Sequence, residues 1–338
     1  MEQNSIGKNE TFFDIHHESD IPKYQQLVNA INNAIAENVL QRGDVLPSVN
    51  KICKANALSR DTVFKAYSIL KENGVIESVP NKGYYVANET KRVLLVLDTF
   101  KAYKEVLYHS FVNNISNNII VDLQFHHYNI DNFKTIVNNS IGKYYKYVIM
   151  NFENESIPNI LTKIPNDKLL LIDWNIYARP TNNYVFQDFG NAFYNVLKES
   201  LHLFKKYKEL VFVYPNYSDH PKETLEFFIR FCRDFNIESK TIRDLKDFKI
   251  QKEYAYISTS DRFLGLFLEK CKDNNLEPGK EVGILSYNET PMKKFIYKGI
   301  TVVSTDFRAL GTRAAEFVTE EKELKQYIPT KLILRESL

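Results

Sequence analysis

The chain carries two different patterns of hydrophobic and polar positions. Between residues 24 and 39 the apolar side chains recur at spacings of three and four, which is typical of a helix with one buried face. After residue 92 the apolar side chains instead form short continuous runs rich in Val, Ile and Leu, separated by stretches of helical spacing. Such runs indicate strands that are buried on both faces. The change of pattern near residue 90 therefore predicts two domains of different architecture.

The first domain begins with three predicted helices. The first helix starts near Pro22 and is expected to end at Gly43, in a left-handed cap. Ser48 is expected to cap a short second helix, which ends in a tight turn at residues 56–58. Ser59 is expected to cap the third helix, whose buried face is predicted to consist of Val63, Ala66, Tyr67 and Leu70. Two helices joined by such a turn form a helix-turn-helix.

Two strand-like runs follow the third helix, at residues 75–79 and 84–87. The turn-forming sequence Pro80-Asn81-Lys82-Gly83 joins them, so they are expected to form a hairpin, the wing of a winged helix. In helix-turn-helix proteins the exposed face of the third helix enters the major groove of DNA. The domain contains eight Lys and Arg residues against five Asp and Glu, a local charge of +3 that suits DNA phosphates.

The sequence of this domain resembles the DNA-binding domain of the gluconate-repressor (GntR) family. The resemblance rests on LPSVNKI, SRDTVFKAYSILKENGVI and NKGYYVA, preceded by PKYQQL and RGD. It implies that Ser59, Arg60 and Thr62 contact DNA and that Gly83 lies at the wing tip near the minor groove. Asn50 and Phe64 depart from the family pattern, because Arg is common at both positions. The predicted DNA-binding residues are Ser48, Asn50, Ser59, Arg60, Thr62, Phe64, Lys65, Lys82 and Gly83.

A winged helix can also serve as a protein-protein module, which is the alternative for this segment. The exposed start of the third helix decides between the two. Arg60 and Lys65 there suit phosphate and base-edge contacts better than a protein surface, so DNA is the predicted partner.

Apolar runs in the second domain predict its strands. They lie at residues 93–98, 119–125, 147–151, 169–173, 210–214, 255–258, 282–287 and 300–304. More than six such runs, alternating with helices, imply two parallel sheets instead of one and an α/β fold class. Open α/β sheets bind ligands beyond the carboxyl ends of their strands, so the residues directly after these runs are the candidates for a ligand site.

Five of these candidates suit a polyol. Tyr103 and Trp174 offer rings that cover the apolar face of a sugar. Asp188, Asp261 and Asn288 offer oxygens that accept hydrogen bonds from hydroxyl groups. Each candidate also has a purely structural interpretation, namely helix caps for the two Asp residues and core packing for Trp174.

The order of motifs in this domain resembles the periplasmic-binding-protein-like effector domain of the lactose and galactose repressor (LacI/GalR) family. The motifs include VLLVLD, QDFGNAFYNVL, EVGILSYNE, GITVVSTDFRALGTRAAEFV and PTKLILRES. The resemblance implies two lobes joined by crossing strands, a small ligand, usually a sugar, in the cleft between them, and a dimer contact mainly in this domain. It places Asp188, Asp261 and Asn288 at effector-contacting positions, with Tyr103 and Trp174 in loops that line the cleft. Lys222 is the nearest cation in the loop where sugar-binding relatives commonly carry Arg.

A GntR-type DNA-binding domain (the reading head, residues 22–88) joined to a LacI-like effector domain resembles the domain organisation of the arabinose-responsive repressors. This build predicts a transcriptional regulator, a homodimer, whose partners are double-stranded operator DNA and a sugar effector. A non-sugar effector such as a purine is the alternative. The predicted boundaries are a tail at residues 1–21, a winged helix at 22–88, a linker at 89–91 and the effector domain at 92–338.

Composition narrows the remaining classes of protein. With 338 residues, 44% of them hydrophobic, the chain is long enough for two folded domains, and a net charge of +2 means that any DNA surface is a local patch. The three cysteines are far apart in sequence, which favours a reducing compartment, the cytoplasm. The pair His126-His127 is expected to be solvated or on a sheet face rather than to bind metal. No run reaches the ~20 apolar residues of a membrane span. The motifs GxGxxG, GxxxxGK[ST] and GxSxG are absent from the sequence. We therefore expect the protein to bind no cofactor and to have no enzymatic activity.

Overall fold

The structure of the protein is a computed structural model that describes residues 13–16, 18–80, 82–87, 91–116, 118–175, 183–246, 248–320 and 322–338. The chain divides into two compact units, Met1–Thr90 and Lys91–Leu338. Each unit has hydrophobic clusters of its own. Across these described ranges, no helix is both long enough and apolar enough to cross a membrane.

The first unit is a winged helix-turn-helix. Its described residues form α1 (Lys23–Ala36), α2 (Val49–Asn56), α3 (Arg60–Glu72), β1 (Ile76–Val79) and β2 (Gly83–Val86). The two strands pair antiparallel, with Ile76 opposite Val86, so the predicted wing is confirmed. The buried residues of α3 are the four predicted from the apolar spacing, and they pack against Leu27 and Ile31 of α1.

Local hydrogen bonds account for the starts of α2 and α3. The side chain of Ser48 accepts a hydrogen bond from the Lys51 N–H, and the side chain of Ser59 accepts one from the Thr62 N–H. Between the two helices, Ala57 adopts the left-handed conformation with φ 50° and closes the tight turn. Both predicted caps and the predicted turn are therefore confirmed.

The predicted end of the first helix at Gly43 is wrong, because α1 already ends at Ala36. Asn38 follows in the left-handed conformation, with φ 59°. The Val39 N–H donates to the Ala34 carbonyl at 2.9 Å and the Asn38 N–H donates to the Ile35 carbonyl at 3.1 Å, which is the Schellman pattern of helix termination. Val39 consequently leaves the buried stripe and is 71% exposed.

The second unit consists of two lobes, each built around one sheet. In the first lobe the described residues form a six-stranded sheet in the order β13-β7-β6-β5-β3-β4, with all neighbouring strands parallel. Its strands are β3 (Lys91–Leu97), β4 (Ile119–Phe125), β5 (Lys146–Met150), β6 (Leu169–Trp174), β7 (Tyr184–Gln187) and β13 (Lys325–Tyr327). Its helices are α4 (Ala102–Asn113), α5 (Ile130–Ser140), α6 (Ile157–Leu161) and α11 (Phe307–Thr319).

The second lobe repeats this architecture. Its described residues form a six-stranded sheet in the order β14-β12-β11-β10-β8-β9, parallel except for the β12–β14 pair. Its strands are β8 (Glu209–Val213), β9 (Ser239–Ile242), β10 (Tyr254–Ser258), β11 (Gly283–Tyr287), β12 (Thr301–Thr305) and β14 (Thr330–Ile333). Its helices are α7 (Asn191–Glu199), α8 (Leu201–Phe204), α9 (Lys222–Asp234) and α10 (Asp261–Asp273).

The chain passes between the lobes at three places in the described residues. It leaves the first lobe after β7, returns through Asp306 into α11, and leaves again between β13 and β14. The predicted two-sheet α/β architecture is confirmed, and each of the eight predicted runs contains a strand. Because the strands of each sheet are parallel apart from β14, their carboxyl ends gather at one edge of each lobe, where a cleft lies between them.

Candidate DNA-binding surface and ligand cleft

The outer face of α3 is exposed, as expected from the burial of its inner face. Arg60, Phe64 and Lys65 all lie on this exposed face, and Phe64 is 41% exposed despite its large apolar ring. The Lys65 ammonium lies 3.9 Å from the centre of the Tyr24 ring, and the Arg60 guanidinium lies 5.8 Å from the centre of the Phe64 ring. Two cations and one apolar ring therefore share the surface proposed to meet DNA.

The other predicted DNA-binding residues surround this face. The Ser59 hydroxyl lies 2.8 Å from the Thr62 hydroxyl in addition to capping α3. Asn50 is exposed in the first turn of α2, after the cap residue Ser48. Lys82 and Gly83 lie at the tip of the wing, where Gly83 has φ 110°, a conformation that favours glycine; Asn81 lies outside the described residues.

A cavity of about 370 Å³ lies between the two lobes of the second unit. Four of the six predicted effector-binding residues line it: Tyr103, Trp174, Asp261 and Asn288. The first lobe also contributes Asp98, Tyr128, Asn151, Asp173 and Gln187, and the second lobe contributes Tyr217, Asp219, His220, Thr259 and Tyr287. Seven of these fourteen residues end a strand or directly follow one, where open α/β sheets bind ligands.

The other two predicted effector-binding residues, Asp188 and Lys222, are not among the residues that line this cavity. The Asp188 carboxylate accepts a hydrogen bond from the Gly190 N–H at 3.0 Å, within the segment that crosses between the lobes. Lys222 is exposed at the first position of α9. Both residues therefore lie next in sequence to residues that line the cavity, but neither is itself part of that lining.

Neither Asp residue is a helix cap. Gly190 occupies the N-cap position of α7, and Ser260 caps α10 by accepting a hydrogen bond from the Phe263 N–H at 3.3 Å. Asp261 is the first residue of α10, and its carboxylate instead pairs with the Lys293 ammonium at 2.8 Å. The Asp261 side chain is 58% exposed, so it remains accessible at the mouth of the cleft.

A buried charge cluster forms the wall of the cleft in the first lobe. The Asp98 carboxylate, 3% exposed, pairs with the ammonium of Lys104, which is fully buried, and accepts a hydrogen bond from the Tyr128 hydroxyl. Burial lowers the pKa of Lys104 to about 8, while the carboxylates of Asp173 and Asp219 oppose that shift. Lys104 therefore remains charged at neutral pH and balances the acidic residues around it.

Asp173 is a further acidic residue of the cleft that sequence analysis missed. It lies near the end of β6 with φ 79°, in the left-handed region, and accepts a hydrogen bond from the Gln187 amide. Burial raises the pKa of the Asp173 carboxyl, and the ammonium of Lys104 opposes the shift. Burial also raises the pKa of Asp219 across the cleft. Both carboxyls therefore lie in a poorly solvated part of the cleft.

Several buried polar atoms of the cleft have no hydrogen-bond partner among the described residues. They are Asn151 Nδ2 and Oδ1, Gln187 Oε1, Thr259 Oγ1, Tyr287 OH and Asn288 Oδ1. Buried polar atoms are normally paired, so their concentration on one cavity points to a polar ligand that completes them. A larger cavity of about 640 Å³ lies beside β14 and the start of α11, and of its described lining Glu289 Oε1 is the one buried side-chain atom left unpaired.

The solvated alternative for His126 is wrong, because this side chain is fully buried. Its Nδ1 accepts a hydrogen bond from the Tyr128 N–H at 3.1 Å, and its Nε2 donates to the Met150 carbonyl at 3.0 Å. Burial lowers the pKa of His126 to about 4, so the ring is neutral at pH 7. His127 is exposed. In the part of the chain that the structure describes, no group of three His, Cys, Asp or Glu side chains is arranged to hold a metal ion.

Comparison with known proteins supports the assignment of the first unit. Residues 23–86 match the family described as bacterial regulatory proteins, gntR family. The HTH-type transcriptional repressor YtrA of Bacillus subtilis (strain 168) is 30% identical over 77 residues, which are 23% of this chain and 59% of YtrA. The chain thus spans less than two thirds of this relative, and the match is confined to the reading head.

The second unit is similar in fold to LacI-family regulators. The trehalose repressor from Escherichia coli has a TM-score of 0.60 at 14% identity, and the alignment covers 72% of this chain and 100% of that one. A LacI family regulator from Lactobacillus casei with bound glucose has a TM-score of 0.59 at 8% identity, covering 73% and 99%. The chain therefore joins a GntR-type helix-turn-helix domain to a periplasmic-binding-protein-like fold, and the two predicted resemblances are confirmed at that level.

Proposed function

We propose that this protein is a transcriptional regulator whose affinity for operator DNA depends on a monosaccharide bound in the cleft of the second unit. The observation that carries the proposal is the presence, in one chain, of a GntR-type reading head and a two-lobe cleft lined by unpaired buried polar atoms. A ligand that contacts both lobes favours one arrangement of the lobes over another. DNA binding and ligand binding are thereby linked in one molecule, which acts in the cytoplasm, where bacterial DNA lies.

The unpaired atoms of the cleft favour a ligand rich in hydroxyl groups. The amide oxygens of Asn151, Gln187 and Asn288 can only accept hydrogen bonds, whereas Asn151 Nδ2 can only donate. A hydroxyl group both donates and accepts, so a sugar offers partners to unpaired donors and unpaired acceptors alike. A phosphate group offers mainly acceptors and leaves the three amide oxygens unsatisfied.

The charges around the cleft balance, which favours an uncharged ligand. Four acidic residues, Asp98, Asp173, Asp219 and Asp261, contribute to the lining. Lys101 and Arg262 line the same cavity, and Lys104 and Lys293 pair with two of the acids, so four cations match the four carboxylates. The rings of Tyr103 and Trp174 supply surfaces for the apolar face of a sugar.

The exposed face of α3 is proposed to read base edges in the major groove. Arg60 at the start of the helix suits a guanine edge, and Lys65 suits a phosphate. Phe64, where Arg is common in the resembling family, suits contact with a thymine methyl group. Ser48, Asn50, Ser59, Thr62, Lys82 and Gly83 complete the proposed DNA-binding surface.

We also propose a homodimer that forms through the second unit, because that unit carries exposed apolar side chains at a sheet edge that has no further partner strand among the described residues. Strand β4 is the edge of the first sheet, Ile120 within it is 50% exposed, and Phe100 nearby is 49% exposed. The Phe100 ring packs against Tyr108 and Phe125, each at 5.9 Å between ring centres. An exposed edge strand with apolar side chains is a ready surface for pairing with a second copy.

The dimer is tested by placing a charge on that edge. Ile120→Asp is expected to weaken dimerisation at least about tenfold, because it buries an unpaired carboxylate in the interface. Ile229→Asp on α9 is the matched control, since Ile229 is 51% exposed on a different surface. Sedimentation equilibrium of the full chain measures both. Equal dimerisation by the two variants and the parent would place the interface elsewhere.

The regulatory function is tested in two steps with the full chain. Thermal unfolding is recorded with a panel of monosaccharides and purines, and an operator is selected from random double-stranded DNA. A sugar that raises the unfolding temperature and changes operator affinity supports the proposal. Stabilisation by a purine but by no sugar would favour the alternative ligand, and the absence of any selected DNA would exclude the reading-head assignment.

A further inference from the structure

Lys293 is buried in the second lobe, and its ammonium group is fully paired. The side chain is 2% exposed, although lysine is rarely buried unless it is paired. Its Nζ donates to the Tyr287 carbonyl at 2.9 Å and to the Asn288 carbonyl at 2.7 Å, and it pairs with the Asp261 carboxylate at 2.8 Å. An ammonium group has three N–H donors, so these three acceptors use all of them.

All three acceptors belong to residues that line the ligand cleft, whereas Lys293 does not line it. Tyr287 and Asn288 lie at the end of β11, and Asp261 begins α10. Asn288 is held in the left-handed conformation, with φ 63°, and its N–H donates to the Val303 carbonyl at 2.8 Å. Lys293 thus connects two separate cleft segments from behind the cleft wall.

We infer that Lys293 is a positioning residue of the cleft, which holds Asn288 and Asp261 at the separation at which both meet one ligand. The inference rests on the proposed function, because it takes this cleft as the ligand site. The carbonyl of Asn288 is fixed by the ammonium while its side-chain oxygen Oδ1 remains unpaired and buried. The ammonium also orients the Asp261 carboxylate, which is otherwise free at the exposed first position of α10.

A merely structural role for Lys293 makes a different prediction. If the ammonium only stabilised the second lobe, its loss would destabilise the whole lobe without a local effect. If the ammonium positions the cleft residues, its loss increases the mobility of the end of β11 and the start of α10 more than that of the rest of the lobe. Backbone hydrogen exchange separates these cases, because the amides of Asn288 and Glu289 are both hydrogen-bonded, the second to the Ser304 hydroxyl at 2.9 Å.

The test uses the full chain with Lys293→Met, which keeps the length of the side chain and removes its charge and donors. Lys294→Met is the matched control, because the neighbouring Lys294 is exposed. In Lys293→Met we expect hydrogen exchange at residues 288 and 289 to accelerate about tenfold or more relative to the central strands β8 and β10. We expect no such change in Lys294→Met.

Ligand affinity is measured by calorimetry with D-glucose, D-galactose and L-arabinose as probes. Lys293→Met is expected to weaken whichever probe binds the parent by about tenfold or more. Lys293→Arg, which retains charge and donors, is expected to recover part of that affinity. Lys293→Arg also provides the comparison with the parent if the Met variant fails to fold.

Two results would overturn the inference. One is exchange and sugar affinity in Lys293→Met equal to those of the parent. The other is accelerated exchange by the same factor throughout the second lobe with sugar affinity unchanged. If none of the three sugars binds the parent, the sugar proposal fails by itself, and the exchange comparison still decides whether Lys293 positions the cleft segments.

Discussion

At the start of α3, two cations that are proposed to meet DNA lie near aromatic rings. A ring limits the freedom of a cation over its face, so less conformational entropy is lost when the cation binds DNA. We expect Arg60→Ala to weaken operator binding by ~1–3 kcal/mol and to relax sequence preference, because it removes a base contact. Lys65→Ala is expected to weaken binding to all sequences alike and to lower the salt slope by about 1. Fluorescence anisotropy at two salt concentrations measures both effects.

Lys198→Ala is the control for these two variants. Lys198 is an exposed lysine near the end of α7 in the second unit, and its removal is expected to leave operator affinity unchanged. Operator binding by Arg60→Ala and Lys65→Ala equal to that of the parent at both salt concentrations would contradict the assignment of α3 as the recognition helix.

We expect His126 to make the stability of the second unit depend on pH. Its pKa is about 4 in the folded protein, below the ordinary value of 6.5, because burial disfavours the charged ring. A depressed folded pKa means that the stabilisation is present above pH ~6.5 and is lost as the pH falls towards 4. We expect the free energy of unfolding to fall by about 1–2 kcal/mol between pH 7 and pH 5 from this residue. Urea unfolding at the two pH values measures the change.

His126→Asn is expected to be less stable at pH 7 and to show a smaller loss of stability between pH 7 and pH 5. The neighbouring exposed residue provides the control, since His127→Asn removes a histidine without removing a buried ring. The same pH dependence in His126→Asn and the parent would show that other groups control the acid sensitivity.

At the scale of the elements, a single glycine permits the close packing of α11 on α4. A Cβ atom at Gly311 would lie 2.4 Å from the Leu107 carbonyl oxygen of α4, a distance that the two backbones cannot accommodate without moving apart. Gly311→Ala is therefore expected to destabilise the second unit by ~1–3 kcal/mol, although alanine favours helix. Calorimetric unfolding of the full chain measures the effect.

Gly265 in α10 provides a matched comparison, because a Cβ atom there would meet nothing within 4 Å. Gly265→Ala is expected to raise stability by up to ~1 kcal/mol through helix propensity alone. Opposite signs for the two substitutions are the expected result. Stabilisation by both would show that α4 and α11 can separate at little cost.

The elements that the sequence predicts are those whose determinants are local. The caps at Ser48 and Ser59 and the apolar face of α3 depend on neighbouring residues alone, and all are confirmed. The end of α1 is mispredicted because Asn38 and Gly43 both adopt the left-handed conformation, and the sequence does not reveal which one ends the helix. Strands β9 and β13 have no continuous apolar run, since each lies at a sheet edge and depends on pairing with one neighbour.

The cleft residues were predictable in part, because the ends of strands can be recognised from the local sequence. Asp98, Asn151 and Asp173 stand at the ends of predicted apolar runs, so the strand-end rule could have found them together with Asp261 and Asn288. Lys293 carries no such signal, because its proposed role depends on its burial and on its ion pair with Asp261, which is distant in sequence. Asp188 shows the converse, since it directly follows β7 but does not line the cavity, and its carboxylate accepts a hydrogen bond from the Gly190 N–H.

At the scale of the whole molecule, the cleft draws its polar groups from both lobes. Asn151 and Asp173 belong to the first lobe, and Asp261 and Asn288 belong to the second. A sugar that bridges these groups favours the lobe arrangement in which all of them reach it. Its effect on operator affinity cannot exceed its differential affinity for the two arrangements, which is typically ~1–3 kcal/mol, or roughly 5–150-fold. A response of that size to a saturating sugar is the expected behaviour of the full chain.

Asp261→Ala tests this coupling, because it removes one contact in the second lobe and leaves the reading head intact. We expect sugar affinity to fall by ~1–3 kcal/mol and operator affinity without sugar to stay unchanged. Asp273→Ala is the matched control, since Asp273 ends the same helix and pairs with Lys270 at 3.4 Å outside the cleft. Operator binding is titrated with and without the sugar that stabilises the parent most.

By reciprocity, weaker sugar binding in Asp261→Ala requires more sugar to reach half of the operator response. An unchanged sugar requirement in Asp261→Ala would mean that the effector binds outside this cleft.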